Sequence, residues 1–136
     1  MSPAARSILV YSIYVLGLGA TLLLAPNVPL PLVGLPQATE VWIRVAGMTV
    51  IFLGIFYFVA ARNEFRPLFV ASIAIRLAVP FIFASFAVAG FVAWNIVLLT
   101  PLDVIFAVWT LLALRRSPAQ ASTVGRSVDR SRVAQP

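Results

Sequence analysis

The sequence predicts an all-α integral membrane protein, a four-helix up-down bundle with both termini in the cytoplasm. Of its 136 residues, 62% are hydrophobic and only 10% are charged, against about a quarter charged residues in soluble domains. Four apolar stretches reach the length of about 20 residues that a helix needs to cross a bilayer, and none alternates like a barrel strand. We therefore expect one transmembrane domain over residues 1–116.

The four predicted spans follow one another with short or Pro-rich connections. They cover about residues 7–25, 41–61, 68–90 and 95–114. Four prolines between the first two spans predict a stiff, non-helical loop on the membrane surface. The next two connections are short, as is typical of an up-down bundle. Residues 117–136 are polar and rich in Ser and Arg, which predicts a disordered basic cytoplasmic tail.

The arginines predict the orientation. Two of the ten cationic residues fall within spans, and the other eight lie on one side: Arg6, Arg62, Arg66, Arg115, Arg116, Arg126, Arg130 and Arg132. Cytoplasmic loops carry the excess of basic residues, so both termini and the middle turn are expected in the cytoplasm. The net charge of +6 is explained by this topology, and we expect the lipid bilayer, not a nucleic acid, as the partner.

Aromatic residues near the ends of the spans are predicted to anchor the helices at the membrane surface. Trp42 and Trp94 fall near the outer boundary, whereas Tyr11, Tyr57 and Trp109 fall nearer the inner one. Trp and Tyr are enriched at both membrane interfaces. We therefore expect these five side chains to face the lipid headgroups.

Whole classes of chemistry are excluded by composition. The chain has no His and no Cys, which rules out imidazole-ligated haem, iron–sulfur clusters, thiolate zinc sites and disulfides. Neither of the glycine-rich motifs that bind nucleotide phosphates occurs. We expect no catalytic residues, no metal site and no cofactor.

Two charged side chains fall deep inside the predicted spans. At 1.5 Å per residue, Arg76 lies about 13 Å beyond Pro67 and Asp103 about 12 Å beyond Asn95, so both lie near the middle of the bilayer. An isolated charge there costs about 2.5–3.5 kcal/mol. We predict an Arg76–Asp103 ion pair in the bundle interior, which either fixes helix register or forms a polar site for a ligand headgroup or ion.

Prolines and threonines near these charges predict a polar pocket. Pro80 removes the hydrogen bond to the carbonyl of Arg76, and Pro101 likewise frees the carbonyl of Val97 in the fourth span. Thr100 and Thr110 fall close to the face of Asp103. We expect the pocket between two kinked helices.

The second span carries a basic residue near the outer boundary and a stripe of glycines. Glu40 precedes Arg44 by four residues, the favourable order for a helical ion pair, so we predict a structural Glu40–Arg44 pair. Alternatively, Arg44 closes a vestibule that leads to the two midplane charges. Gly47 and Gly54 predict close packing on the glycines of the first span.

Scattered positions between residues 17 and 116 carry a resemblance to a known group: Trp42, Ile43, Arg44, Gly47, Gly54, Tyr57, Ala60, Ala61, Arg62, Arg76, Asp103, Ala107, Trp109, Thr110 and Leu111. With them the chain resembles the DoxX-like and DUF4345-like small bacterial membrane proteins. The resemblance implies a four-helix membrane fold and, together with the arginine asymmetry, the bacterial inner membrane. It implies no particular reaction.

Three functions follow as hypotheses. The absence of catalytic machinery favours an accessory or assembly subunit of a membrane complex, with another membrane protein or a second copy as partner. The alternative is a binder or carrier of a small amphiphile, a lipid or a quinone. Its candidate ligand-binding residues are Arg76, Asp103, Thr100, Thr110 and Arg44. The third is an intramembrane enzyme with Asp103 as acid or base and Arg76 holding an anionic intermediate.

Overall fold

The computed structural model describes residues 1–116, and this part of the chain is helical with no strand. The elements, in order, are α1 (Pro3–Leu24), α2 (Pro29–Leu32), α3 (Trp42–Arg62), α4 (Arg66–Val88), a 3₁₀ helix (Trp94–Leu99) and α5 (Pro101–Arg116). The predicted all-α fold is confirmed. The predicted basic tail at 117–136 lies outside the described residues.

Within residues 1–116, four helical segments are long and apolar enough to cross a membrane: α1, α3, α4 and Trp94–Arg116. The last is not one continuous helix, because the 3₁₀ helix ends before α5 begins at Pro101. Pro101 therefore stands at a helix start, where a missing N–H costs little, and does not kink a helix interior. The Val97 carbonyl is satisfied, since it accepts from the Thr100 N–H (3.0 Å) and hydroxyl (2.8 Å).

The long helices run alternately up and down. The Ser2 N–H donates to Glu64 Oε1 (2.7 Å) in the turn between α3 and α4. The Ser7 hydroxyl donates to the Thr110 hydroxyl (3.1 Å), which joins the start of α1 to the last turns of α5. We call this end of the bundle the terminal end. The opposite end, formed by the loop after α1 and the turn after α4, is the loop end.

Helices α1 and α3 form the closest pair in the bundle. A Cβ placed at Gly47 would lie 2.6 Å from the Leu23 backbone nitrogen and 2.9 Å from the Gly19 carbonyl oxygen. A Cβ at Gly54 would lie 2.8 Å from the Leu16 side chain. These separations are shorter than the optimum of about 3.5–4.0 Å between carbon atoms, so only glycine permits this approach. The predicted close packing of the two glycine-bearing helices is confirmed.

The buried core lies toward the terminal end. It consists of Ala4, Ala5, Ile8, Tyr11, Val15, Tyr57, Ala60, Ala61, Phe69 and Ala113. Helix α1 packs on both α3 and α5, while α4 packs mainly on α5 and touches α3 little, although a three-residue turn joins them. The half of the bundle toward the loop end therefore contributes few residues to this core.

The loop after α1 folds over the loop end. Its predicted lack of helix is wrong at one point, because Pro29–Leu32 forms a single turn, α2. Proline at the first helical position favours such a start. The Asn27 side chain closes the loop by accepting from the Ala38 N–H (2.7 Å) and donating to its carbonyl (3.3 Å). Asn95 Nδ2 donates to the Gly34 carbonyl (2.5 Å) and ties the loop to the 3₁₀ helix.

Candidate functional site

A cavity of about 460 Å³ lies at the centre of the bundle, toward the loop end. Its wall is mainly aliphatic and comes mostly from α1, α3 and α4, with further residues from the 3₁₀ helix and α5. Leu30 of α2 and Leu35 of the following loop close its loop end. Leu53 of α3 and Ile75 of α4 also line it, and they are 43% and 60% exposed. The cavity therefore opens sideways between α3 and α4, where these two helices make few contacts.

The end of the cavity nearer the core carries its polar groups. Arg76 is only 2% exposed, and its guanidinium carbon lies 3.4 Å from the ring centroid of Tyr11 and 5.1 Å from that of Tyr57. A desolvated cation–π contact of this kind contributes about 2 kcal/mol. The two tyrosine rings meet edge to face, with centroids 5.3 Å apart. Aromatic faces from α1 and α3 thus hold the arginine of α4.

Asp103 of α5 faces the same cavity and is held by Tyr11. The Tyr11 hydroxyl donates to Asp103 Oδ1 at 2.7 Å, a length typical of a strong hydrogen bond to a charged group. One tyrosine therefore contacts both buried charges, the cation with its ring and the carboxylate with its hydroxyl. Helix α1 thereby joins the groups that α4 and α5 supply.

The predicted direct Arg76–Asp103 ion pair is wrong. Within residues 1–116 no guanidinium nitrogen of Arg76 lies within 4.0 Å of a carboxylate oxygen, and the ion pair that does form joins the N-terminus to Glu64 (3.5 Å). The two charges contact Tyr11 instead of each other. The Tyr11 ring lies against the Arg76 guanidinium, and the Tyr11 hydroxyl binds a carboxylate oxygen of Asp103. Both charges nevertheless line one cavity and contact one tyrosine.

The Arg76 guanidinium has no hydrogen-bond partner for any of its three nitrogens among the described residues. An arginine carries five N–H donors, and buried donors in folded proteins are nearly always paired. Since the group is also buried against two tyrosine rings, it is the most unusual polar feature of the described chain. It points to an acceptor from outside residues 1–116.

Tyr11 and Tyr57 are the site residues that the sequence did not identify. They were predicted as interface anchors, but the structure buries them to 5% and 4% exposure, so that prediction is wrong. Trp42, Trp94 and Trp109 are exposed, as a lipid-facing anchor would be. A buried Tyr hydroxyl needs a hydrogen-bond partner. The carboxylate of Asp103 could serve as that partner, so its presence could have indicated from the sequence that Tyr11 faces the bundle interior.

The two predicted threonines lie outside the cavity wall. The Thr100 hydroxyl donates to the Val97 carbonyl at the junction before α5. The Thr110 hydroxyl donates to the Phe106 carbonyl (2.8 Å) and accepts from Ser7. Both are buried, and both tie backbone or helices together near the ends of α5.

Arg44 caps a helix instead of forming the predicted pair with Glu40. Its Nη1 donates to the carbonyls of Leu23 (2.6 Å) and Leu24 (3.4 Å), the last residues of α1. A cation there satisfies free carbonyls and complements the helix dipole. The predicted Glu40–Arg44 pair is wrong in the described chain, because α3 begins only at Trp42 and helical spacing does not extend back to Glu40. Arg44 does not line the cavity.

Two further observations bear on identity. The described residues hold no cluster of three or more His, Cys, Asp or Glu side chains that could bind a metal ion. Comparisons of the chain with family models, with curated proteins and with solved structures give no match. The resemblance to the DoxX-like group stays a prediction, and the function has to be argued from the cavity.

Proposed function

We propose that this protein is a multi-pass membrane protein that binds a small amphiphile in the central cavity. The polar head of the ligand accepts hydrogen bonds from Arg76, and its apolar tail lies along the aliphatic wall. The observation that carries the proposal is the Arg76 guanidinium, which lines the cavity, is 2% exposed and lacks a hydrogen-bond partner among residues 1–116. A lipid and a quinone both combine oxygen acceptors with an apolar body.

The size and lining of the cavity support one small ligand. Small-molecule sites are mostly apolar, hold a few convergent polar groups and measure about 300–1,000 Å³; the cavity measures about 460 Å³. Its sideways opening between Leu53 and Ile75 would face acyl chains in a membrane. A ligand dissolved in the bilayer would therefore reach Arg76 without crossing water.

The proposed membrane topology places the terminal end in the cytoplasm of a bacterial cell, with the helices crossing the inner membrane. Arginines support this orientation, since Arg6, Arg62, Arg66, Arg115 and Arg116 lie at the terminal end and only Arg44 lies at the loop end of the described chain. Basic residues are retained on the cytoplasmic side. Large apolar side chains are exposed along α3 and α4, as bilayer contact requires.

The accessory or assembly subunit and the intramembrane enzyme stay predictions. Ligand binding takes precedence over both because it accounts for the cavity and for the unpaired guanidinium together. An assembly role accounts for neither feature. Asp103 already accepts a hydrogen bond from the Tyr11 hydroxyl, which gives this carboxylate a structural contact in the described chain.

Native mass spectrometry of the protein extracted in a mild detergent tests the proposal. Val50 of α3 lines the cavity, whereas Val59 of the same helix is 51% exposed and does not. The wild type and the Val59→Phe control should carry a bound mass in the range of a lipid or quinone, and Val50→Phe should lose it. A wild type free of any such mass, or a Val50→Phe variant that keeps it, would refute ligand binding in this cavity.

A further inference from the structure

The orientation of the Arg76 guanidinium restricts the ligand that it can take. With its carbon 3.4 Å from the Tyr11 ring centroid, the group must lie flat on the ring, because an edge-on placement would push a nitrogen well inside the optimum contact distance of about 3.5–4.0 Å. Its N–H bonds then point outward along a plane parallel to the ring. Two parallel N–H groups on one edge match the two oxygens of a planar carboxylate.

Charge also restricts the ligand. Arg76 is a buried cation without an anion within 4.0 Å in the described chain, and Asp103 has one oxygen engaged by Tyr11. A cation in hydrocarbon is costly unless an anion or other acceptor compensates it. A ligand that brings one negative charge supplies this compensation. A phosphate monoester brings about −1.5 to −2 at neutral pH, and the nearby Asp103 carboxylate would repel it more strongly.

The shape of the cavity suits a single chain. Along α1 the lining extends from Tyr11 to Leu22, about 16 Å at 1.5 Å per residue. The polar groups lie at one end only, and the wall between them and the loop is aliphatic, with Leu18, Val50 and Val79 among its members. A tail extended from Arg76 toward the loop end would meet apolar side chains along this length.

We propose that the ligand is a single-chain amphiphile with a carboxylate head, a free fatty acid in chemical class. The carboxylate binds one edge of the buried Arg76 guanidinium, and the chain runs toward the Pro-rich loop. This inference rests on the proposed function and names its ligand. A neutral carbonyl, as in a quinone, accepts from the same edge but brings no negative charge to the cation.

The test is competition for binding to the full chain in detergent micelles, with the fluorescent fatty acid cis-parinaric acid as the probe. The competitors are palmitic acid, hexadecanol, palmitoyl lysophosphatidic acid and a short-chain quinone. Because hydrogen bonds to charged groups are worth more than neutral ones, palmitic acid should displace the probe at a concentration about tenfold or more below that of hexadecanol. It should also outcompete the lysophosphatidic acid and the quinone.

Two arginine variants assign that preference to one residue. Arg76→Gln should lose the preference for acid over alcohol while still binding the alcohol, and Arg44→Gln, at the helix-capping arginine, should keep it. If Arg76→Gln fails to fold, Arg76→Lys retains the charge without the planar fork and should show a reduced preference. Equal displacement of the probe by acid and alcohol, or stronger displacement by the quinone or the lysophosphatidic acid, would overturn the carboxylate assignment but leave amphiphile binding intact. No binding of any amphiphile would refute the proposed function as well.

Discussion

Removing the Tyr11 hydroxyl should weaken the protein more than removing any neighbouring hydroxyl of the aromatic cluster. Tyr11→Phe keeps the ring under Arg76 and deletes the 2.7 Å hydrogen bond to Asp103. Side-chain hydrogen bonds between membrane helices are worth about 0.6 kcal/mol on average and up to about 1.7. Those to charged groups reach about 1.5–3 kcal/mol. We therefore expect the free energy of unfolding to fall by about 1–2 kcal/mol.

A second substitution at the same position separates the ring from the hydroxyl. Tyr11→Leu also removes the contact with the Arg76 guanidinium, worth about 2 kcal/mol when desolvated, and the edge-to-face contact with Tyr57, worth about 0.5–1.5 kcal/mol. The loss should therefore exceed that of Tyr11→Phe by at least about 2 kcal/mol.

Unfolding in mixed micelles with increasing dodecyl sulfate, followed by tryptophan fluorescence, measures these changes. The matched control is Tyr14→Phe, because Tyr14 stacks on Phe106 and touches Tyr11 in the same aromatic cluster but makes no hydrogen bond to Asp103. The expected order of stability is wild type and Tyr14→Phe together, then Tyr11→Phe, then Tyr11→Leu. Tyr11→Phe unfolding together with Tyr14→Phe would show that the hydroxyl contact to Asp103 does not stabilise the bundle.

Three further outcomes follow from the packing and the helix ends. Gly47→Ala should lower the free energy of unfolding by about 1–3 kcal/mol through overpacking against α1. Gly17→Ala, with open space around it, should raise the free energy of unfolding by about 0.5–1 kcal/mol. Equal effects of the two substitutions in the same dodecyl sulfate titration would contradict the close packing of α1 on α3. Asn95→Ala should speed amide hydrogen exchange in residues 25–41 about fivefold, the equivalent of one hydrogen bond, and unchanged exchange would show that Asn95 does not hold the loop. Arg44→Ala should lower the free energy of unfolding by about 0.5–1 kcal/mol because the cap of α1 is lost, and Glu40→Gln should leave it unchanged. A matching loss in Glu40→Gln would support the Glu40–Arg44 ion pair predicted from the sequence.

Much of the fold could be predicted because hydropathy is a local property. Each span needs only its own run of apolar residues, so the four segments emerge to within a few residues of the observed helices. Gly47 and Gly54 likewise share a helical stripe whatever packs against it. The junction before Pro101 was missed because a proline inside an apolar run reads equally well as a kink or as a new helix start.

The candidate site was only half predictable because it depends on which helices touch. Arg76 and Asp103 were found from depth alone, which needs no knowledge of neighbours. Tyr11 was not, because its role requires α1 to contact side chains that α4 and α5 supply, and apolar helices give no signal for which helices will touch. The predicted pair of Glu40 with Arg44 failed for a smaller reason, because α3 begins two residues after Glu40.

Electron cryo-microscopy of the protein in lipid nanodiscs shows directly whether Arg76 binds a ligand in the cavity. We expect elongated non-protein density there, with its polar end within hydrogen-bond distance, about 2.7–3.2 Å, of the Arg76 guanidinium and its tail toward Leu30. We also expect Tyr11 to remain under that guanidinium. A collapsed cavity, with Arg76 paired directly to Asp103, would contradict ligand binding at this site.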